Sequence, residues 1–199
     1  MIRSEILSYI KELKLKKNVR VYAPYKYFEG LTTKREIQRR FNEIVKGSKS
    51  DVDNPKSYTP FSTDVGKETK PSVYTKSFYK VAPDQPRTLE QKSEMTGIPI
   101  DILQKVYQKG MAAWRTGHRV GATPEQWGHA RVYSFLMLGC TVFSADFHLF
   151  EEALPRMTPK NRKHWLSLPV KCPKKTLEKP YYKKRHAYEK FLTLKKQYT

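Results

Sequence analysis

The residues best suited to chemistry lie in one short loop and one long tail. The loop Arg115-Thr116-Gly117-His118-Arg119-Val120-Gly121-Ala122-Thr123 brings two guanidinium groups, an imidazole and two glycines to the start of a helix. Glycine lets the backbone turn tightly or approach a ligand, and a helix N-terminus beside arginine favours an anion. The pattern admits a phosphate site with Arg115, His118 and Arg119 as contacts. The competing reading assigns both glycines to loop geometry, pairs Arg119 with Glu125 and lets Thr123 satisfy the helix end.

The tail is the strongest electrostatic feature. Lys174, Lys175, Lys183, Lys184 and Arg185 alternate with Tyr181 and Tyr182, and Trp165, Tyr188 and Tyr198 flank them. Basic residues mixed with aromatics suit phosphate neutralisation together with base stacking. They also suit a tail lying along an acidic protein surface. Lys105 and Lys109, one helical turn apart, are further candidates for a backbone contact.

An enzyme finds little here. His148 with Glu151, Glu152 and the nearby Asp146 is the single arrangement resembling metal ligands, and no second cluster completes it. No Walker loop, dinucleotide fingerprint, nucleophile elbow or paired-cysteine zinc motif is present. The expectation is a non-enzyme with no metal, no cofactor and no evident small-molecule substrate.

These residues need elements to position them. The 199 residues hold 39 Lys plus Arg against 19 Asp plus Glu, a net charge of +20. Residues 1–46 carry +7, 47–90 carry +1, 91–155 are neutral and 156–199 carry +12. Such imbalance speaks to partners, because each neutralised phosphate releases counterions. No apolar run is long enough to span a bilayer, so no membrane partner is expected. Cys140 in an apolar run and Cys172 in a Lys/Pro-rich one read as a reduced buried thiol and an incidental exposed one.

Helical spacing of Ile6, Ile10 and Leu13 predicts a helix over about 4–17, with Ser4 as its cap. Thr33 and Glu36 form a capping box before the stripe Ile37, Phe41, Ile44, Val45, with Gly47 placed as a C-cap. Val19-Arg20-Val21-Tyr22 reads as a short strand. Residues 47–87 read as extended: Pro55, Pro60, Pro71, Pro83 and Pro86 exclude a long helix, while Tyr58, Phe61, Tyr74, Phe78 and Tyr79 argue against a free linker. Val73-Tyr74-Thr75 and Phe78-Tyr79 are candidate strands of a small hairpin.

The neutral block is well punctuated. Thr88 and Gln91 cap a helix ending at Gly97, and Pro99 opens another. This pair has a helix-turn-helix outline. However, Ile98, Pro99, Ile100 and Asp101 stand where a DNA-reading helix needs polar or basic groups. Thr123-Pro124-Glu125-Gln126 starts a helix that carries Trp127, His129 and Arg131, and an arginine buried there requires a carboxylate or carbonyls. Further helices follow over about 145–154, from Thr158-Pro159 and over 181–198. The expected fold is α+β but predominantly α-helical. It has a single mainly helical domain over 1–155 (47–87 extended, 88–155 the neutral block) and a basic appendage over 156–199.

The stretches Tyr27-Phe28-Glu29-Gly30-Leu31-Thr32, Lys70-Pro71-Ser72-Val73-Tyr74-Thr75, Lys109-Gly110 through Gly117-His118-Arg119, and Trp127-Gly128-His129-Ala130-Arg131-Val132 together carry a likeness. The block from about Tyr25 to Leu154 resembles an uncharacterised domain family of large algal DNA viruses and marine bacteriophages. Many members have an Arg-Pro pair where this chain has Arg119-Val120. The resemblance implies a viral or phage setting and no particular activity. The leading expectation is a non-catalytic protein binding DNA or RNA without sequence preference. The alternative is a minor structural protein of the particle, bridging capsid or other virion subunits. Its location would be the host cell interior or the virion.

Overall fold

In the computed structural model the described residues are 1–49, 62, 66, 68–82, 87–117, 121–177 and 182–198. The chain divides into two compact units, one of residues 1–70 with 111–127, the other of 71–110 with 128–199.

The first unit is built on two helices, α1 (Arg3–Lys16) and α2 (Lys34–Ser48), joined through a 3-10 turn at Tyr25–Tyr27. Ile6, Ile10 and Leu13 of α1 meet Ile37, Phe41 and Ile44 of α2 in a core completed by Tyr27, Phe28 and Trp114. Each triplet recurs at three- and four-residue spacing, so each helix buries one stripe and leaves the opposite face to solvent. The start of α1 is held by the Glu5 carboxylate, which accepts from the Ile2 N–H at 2.9 Å, one turn earlier than a Ser4 cap would place it. The capping box of α2 is formed as its sequence requires: Glu36 N–H donates to Thr33 Oγ1 at 3.2 Å and Thr33 N–H to Glu36 Oε2 at 3.0 Å. Gly47 does not end this helix. It is buried inside the last turn, and Lys49 caps.

The second unit contains α3 (Val73–Val81), α4 (Leu89–Thr96), the greater part of α5 (Ile100–Gly117) and of α6 (Pro124–Leu136), α7 (Phe147–Ala153), a 3-10 turn at Leu154–Arg156, α8 (Pro159–Ser167), the short α9 (Lys174–Leu177) and α10 (Tyr182–Tyr198). Thr88 and Gln91 cap α4, and Gly97 ends it with a φ of 69°, in the left-handed region that glycine enters without a Cβ penalty. Gly128 lets α6 approach the Tyr107 ring, which a Cβ would meet at 2.5 Å.

The predominantly helical expectation holds; the α+β label does not, since no strand occurs among the described residues. Val19–Tyr22 is not a strand, and Val73–Val81, expected as a hairpin, is the helix α3. Ser72 Oγ accepts from the Thr75 N–H at 3.0 Å, and Phe78 is buried between the partly buried Tyr74 and the buried Ala82. That four-residue period overrides the strand preference of its Val, Thr and aromatic residues. Tyr58, Phe61 and the prolines at 55, 60, 83 and 86 lie outside the described residues.

Two further expectations change. Cys140 and Cys172 are joined as a disulfide rather than reduced and separate. Chain return makes the pairing possible: Lys171 N–H donates to Leu138 O at 3.1 Å, laying the Lys/Pro-rich segment beside the end of α6, and Cys172 is buried. The segment 156–199, expected as an appendage, sends Met157, Trp165, Leu166, Leu177, Ala187 and Phe191 into the core of the second unit. Among the described residues no helix is long and apolar enough to cross a membrane.

Candidate nucleic-acid interface

Of the residues singled out in the sequence, His118, Arg119 and Tyr181 lie outside the described residues, as do the side chains of Tyr182 and Lys183. Arg115 is half-buried at the end of α5, and its Nε has no hydrogen-bond partner among the described residues. Lys174 and Lys175 are exposed on α9, and Lys184 is partly exposed on α10. Arg185 Nε donates to Glu189 Oε1 at 2.9 Å, one turn along α10.

Lys105 and Lys109 are engaged. Lys105 Nζ sits 2.8 Å from Glu152 Oε1 and 3.8 Å from Asp101. Lys109 Nζ donates to Ala145 O at 2.7 Å, with Asp146 at 3.5 Å and His148 Nε2 at 3.3 Å. Asp146 has no exposed surface and accepts two bonds from Arg131, at 3.0 and 2.8 Å. This is the carboxylate that a buried Arg131 requires. Glu151 pairs with Lys190, and Asp101 takes two bonds from Arg156 that hold its carboxyl below the usual range. The acids near His148 thus face cations, and among the described residues no group of three His, Cys, Asp or Glu could hold a metal ion.

The aromatics of the tail are core residues. Trp165 is buried and donates from Nε1 to Leu136 O at 3.0 Å. Tyr188 lies against Phe143 and Phe191, and Tyr198 lies under the Arg162 guanidinium at 4.2 Å. These three faces are taken by the protein itself, not presented as stacking platforms. The helix-turn-helix outline is also filled inward: Ile98 and Ile102 have no exposed surface, and Asp101 belongs to Arg156.

One buried cation stands apart. Lys92 has no exposed surface; its Nζ donates to Arg87 O and to Thr88 O at 3.2 Å, and lies 5.1 Å from the Tyr133 ring centroid. Burial lowers this amine to about 8, against a smaller opposing pull from Glu90. The Tyr133 and Tyr79 hydroxyls share a 2.7 Å hydrogen bond, and burial first, then that bond, push Tyr133 up. The amine is turned onto backbone carbonyls and a ring, so the group ties the start of α4 to α6 rather than facing a solvent-reached substrate.

The surface that sequence reasoning passed over is the outer face of α2. Arg35, Arg39, Asn42, Lys46 and Lys49 recur at three- and four-residue spacing opposite Ile37, Phe41 and Ile44, and all five are exposed. None has a printed partner to compete with: among the described residues no carboxylate pairs with these four cations. Both acids of α2 are held off this face. Glu36 is turned back to Thr32 N–H, Thr33 N–H and the Thr33 hydroxyl, which hold its carboxyl low. Glu43 lies 3.1 Å from Arg40 Nε and accepts from Ser62 Oγ at 2.8 Å. The available signal was the complement of the apolar stripe, which had been read for its inward side only.

No curated protein and no solved structure matches the chain. The profile of a family of unknown function, DUF5824, matches residues 24–149, which include α2, Lys92, and the Lys109–Arg131–Asp146 cluster. That match covers well over half of the 199 residues, and the chain belongs to the DUF5824 family.

Proposed function

We propose that this protein binds nucleic acid through phosphate contacts and catalyses no reaction on it. The observation carrying this reading is the row Arg35, Arg39, Lys46, Lys49: four exposed cations on one rigid helix, with no carboxylate among them. A cation already paired must give up its partner to meet a phosphate; these do not. Exposed lysines of the second unit, Lys171, Lys174 and Lys175 among them, supply further contacts that are independent of α2. Lys105 and Lys109 fall out of the set, because Glu152 and Asp146 already neutralise them. In the viral or phage setting that the resemblance implies, the polymer is a viral genome or transcript.

The test is binding of the full chain to labelled single-stranded and duplex oligonucleotides across a salt series. Affinity should fall steeply with salt. The quadruple substitution of Arg35, Arg39, Lys46 and Lys49 to Ala should flatten the log–log slope against salt by roughly 3 to 4 on B-DNA, about 0.9 per lost contact. Negligible binding of every oligonucleotide at about 0.05 M salt, where phosphate contacts are at their strongest, would sink the reading.

A further inference from the structure

We infer that α2 is a duplex-DNA reading helix, its first two turns contacting base edges in the major groove and its last turn the phosphates. This rests on the nucleic-acid reading above and adds what the polymer is and how it is held. The argument begins with residue type. Arg35, Gln38, Arg39 and Asn42 stand three, four and seven residues along one helix face, and all are exposed. Simple charge neutralisation has no use for Gln38 and Asn42. Arginine, glutamine and asparagine are the side chains that make paired hydrogen bonds to purine edges, arginine to guanine O6 and N7, the amides to adenine N6 and N7. Lysine, a compact point charge without that planar fork, takes over only at Lys46 and Lys49.

The order along the helix matches the way such helices dock, with N-terminal residues at the bases and later ones toward the backbone. Fifteen residues give α2 a length of about 22 Å, and an α-helix of about 10–12 Å diameter fits a major groove about 12 Å wide. The A-form groove of duplex RNA is too narrow for it. The helix is braced for such use. Its buried face is fixed through Ile37, Phe41 and Ile44, and its first turn is locked by the Thr33–Glu36 box. The same box keeps Glu36 from facing the duplex. The α4–α5 pair offers none of this, since the start of its second helix is buried or acidic.

The experiment is selection of the full chain against a random-sequence duplex DNA library, followed by binding of the winning duplex, a scrambled duplex and the matching duplex RNA. Enrichment of a short motif is expected. Gln38→Ala and Asn42→Ala should each cut the preference for that motif over the scrambled duplex by about tenfold with the salt slope unchanged. Lys46→Ala with Lys49→Ala should lower the slope by about 1.8 and keep the preference. All four positions are exposed, and unchanged helical circular dichroism establishes that each variant is folded. If no motif is enriched, or if the preference survives in Gln38→Ala and Asn42→Ala, base reading by α2 is overturned while phosphate binding stands. Failure to bind any oligonucleotide overturns both.

Discussion

In the unit carrying α5, α7 and α10, cations meet carboxylates: Lys105 with Glu152, Lys109 and Arg131 with Asp146, Arg156 with Asp101, Lys190 with Glu151. In the unit carrying α1 and α2, cations of the same kinds face outward without them. The more strongly charged end of the sequence is therefore not the clearest polyanion surface. What locates such a surface is the partner each cation already has, which a count of charges along the chain does not register. Most of the cations in the first group stabilise the fold or neutralise its surface, and those on α2 remain available.

The comparison is broken most directly at Asp146. Asp146→Ala leaves Arg131 with its guanidinium partly buried and unpaired, and Lys109 without its carboxylate. Removing one partner of a buried pair costs about 3–5 kcal/mol, to be read from urea unfolding of the full chain. Affinity for duplex DNA should not fall, provided measurements are made where the variant is folded. A loss of binding as large as that of the α2 quadruple variant would mean the paired cluster is itself part of the interface.

The disulfide offers a second separation of the two units. It closes a loop over 140–172 that contains α7 and α8, both in the second unit. Reduction should lower stability by about 2–4 kcal/mol, measured by urea unfolding with and without reductant. Binding through α2 should be indifferent to reductant at temperatures where both forms are folded.

A third effect is smaller and depends on pH. Below about pH 8 Lys92 is charged in folded and unfolded chains alike, and the cost of burying it is complete. Between about 8 and the ordinary 10.5 the unfolded chain holds the proton and the folded chain does not, so stability rises with pH. Tyr133 acts oppositely: its raised hydroxyl keeps a proton that the unfolded chain loses near 10.0, and stability falls above that. From pH 8 to 10 the Lys92 contribution should amount to roughly 2 kcal/mol, and Lys92→Met should remove the rise. A rise that persists in Lys92→Met would assign it to other lysines.

Much of this was legible in the sequence, and the failures have physical causes. The caps of α2 and α4 and the start of α6 at Thr123-Pro124 are local, formed by groups within four residues of each other, and the sequence shows them whole. Arg131 announced its need for a carboxylate, but its partner, Asp146, is set by how the chain turns after α6. Val73–Val81 reads as strand by composition and becomes a helix because Phe78 and Ala82 find a core. The tail aromatics look like stacking residues until Trp165 and Tyr188 are placed among Phe135, Phe143, Phe150 and Phe191. The α2 face was visible in full; its meaning depended on knowing that Glu36 and Glu43 are held elsewhere.

The smallest expected effect is the one that sharpens the comparison from the other side. Glu152 neutralises Lys105 at 2.8 Å and lies 3.5 Å from Arg156, and these three side chains are exposed by 40–46%. Exposed pairs contribute about 0–1 kcal/mol, so Glu152→Gln should leave stability almost unchanged. Lys105 keeps only Asp101, at 3.8 Å and shared with Arg156. If pairing is what silences cations in this unit, the substitution should raise affinity for duplex DNA at low salt by roughly two- to threefold and steepen the salt slope by a fraction of one contact. The gain should vanish at higher salt, as screening removes its source. No gain at low salt would show that the α5–α7 surface is silent for reasons of shape rather than charge, and the contrast between the units would then rest on the α2 face alone.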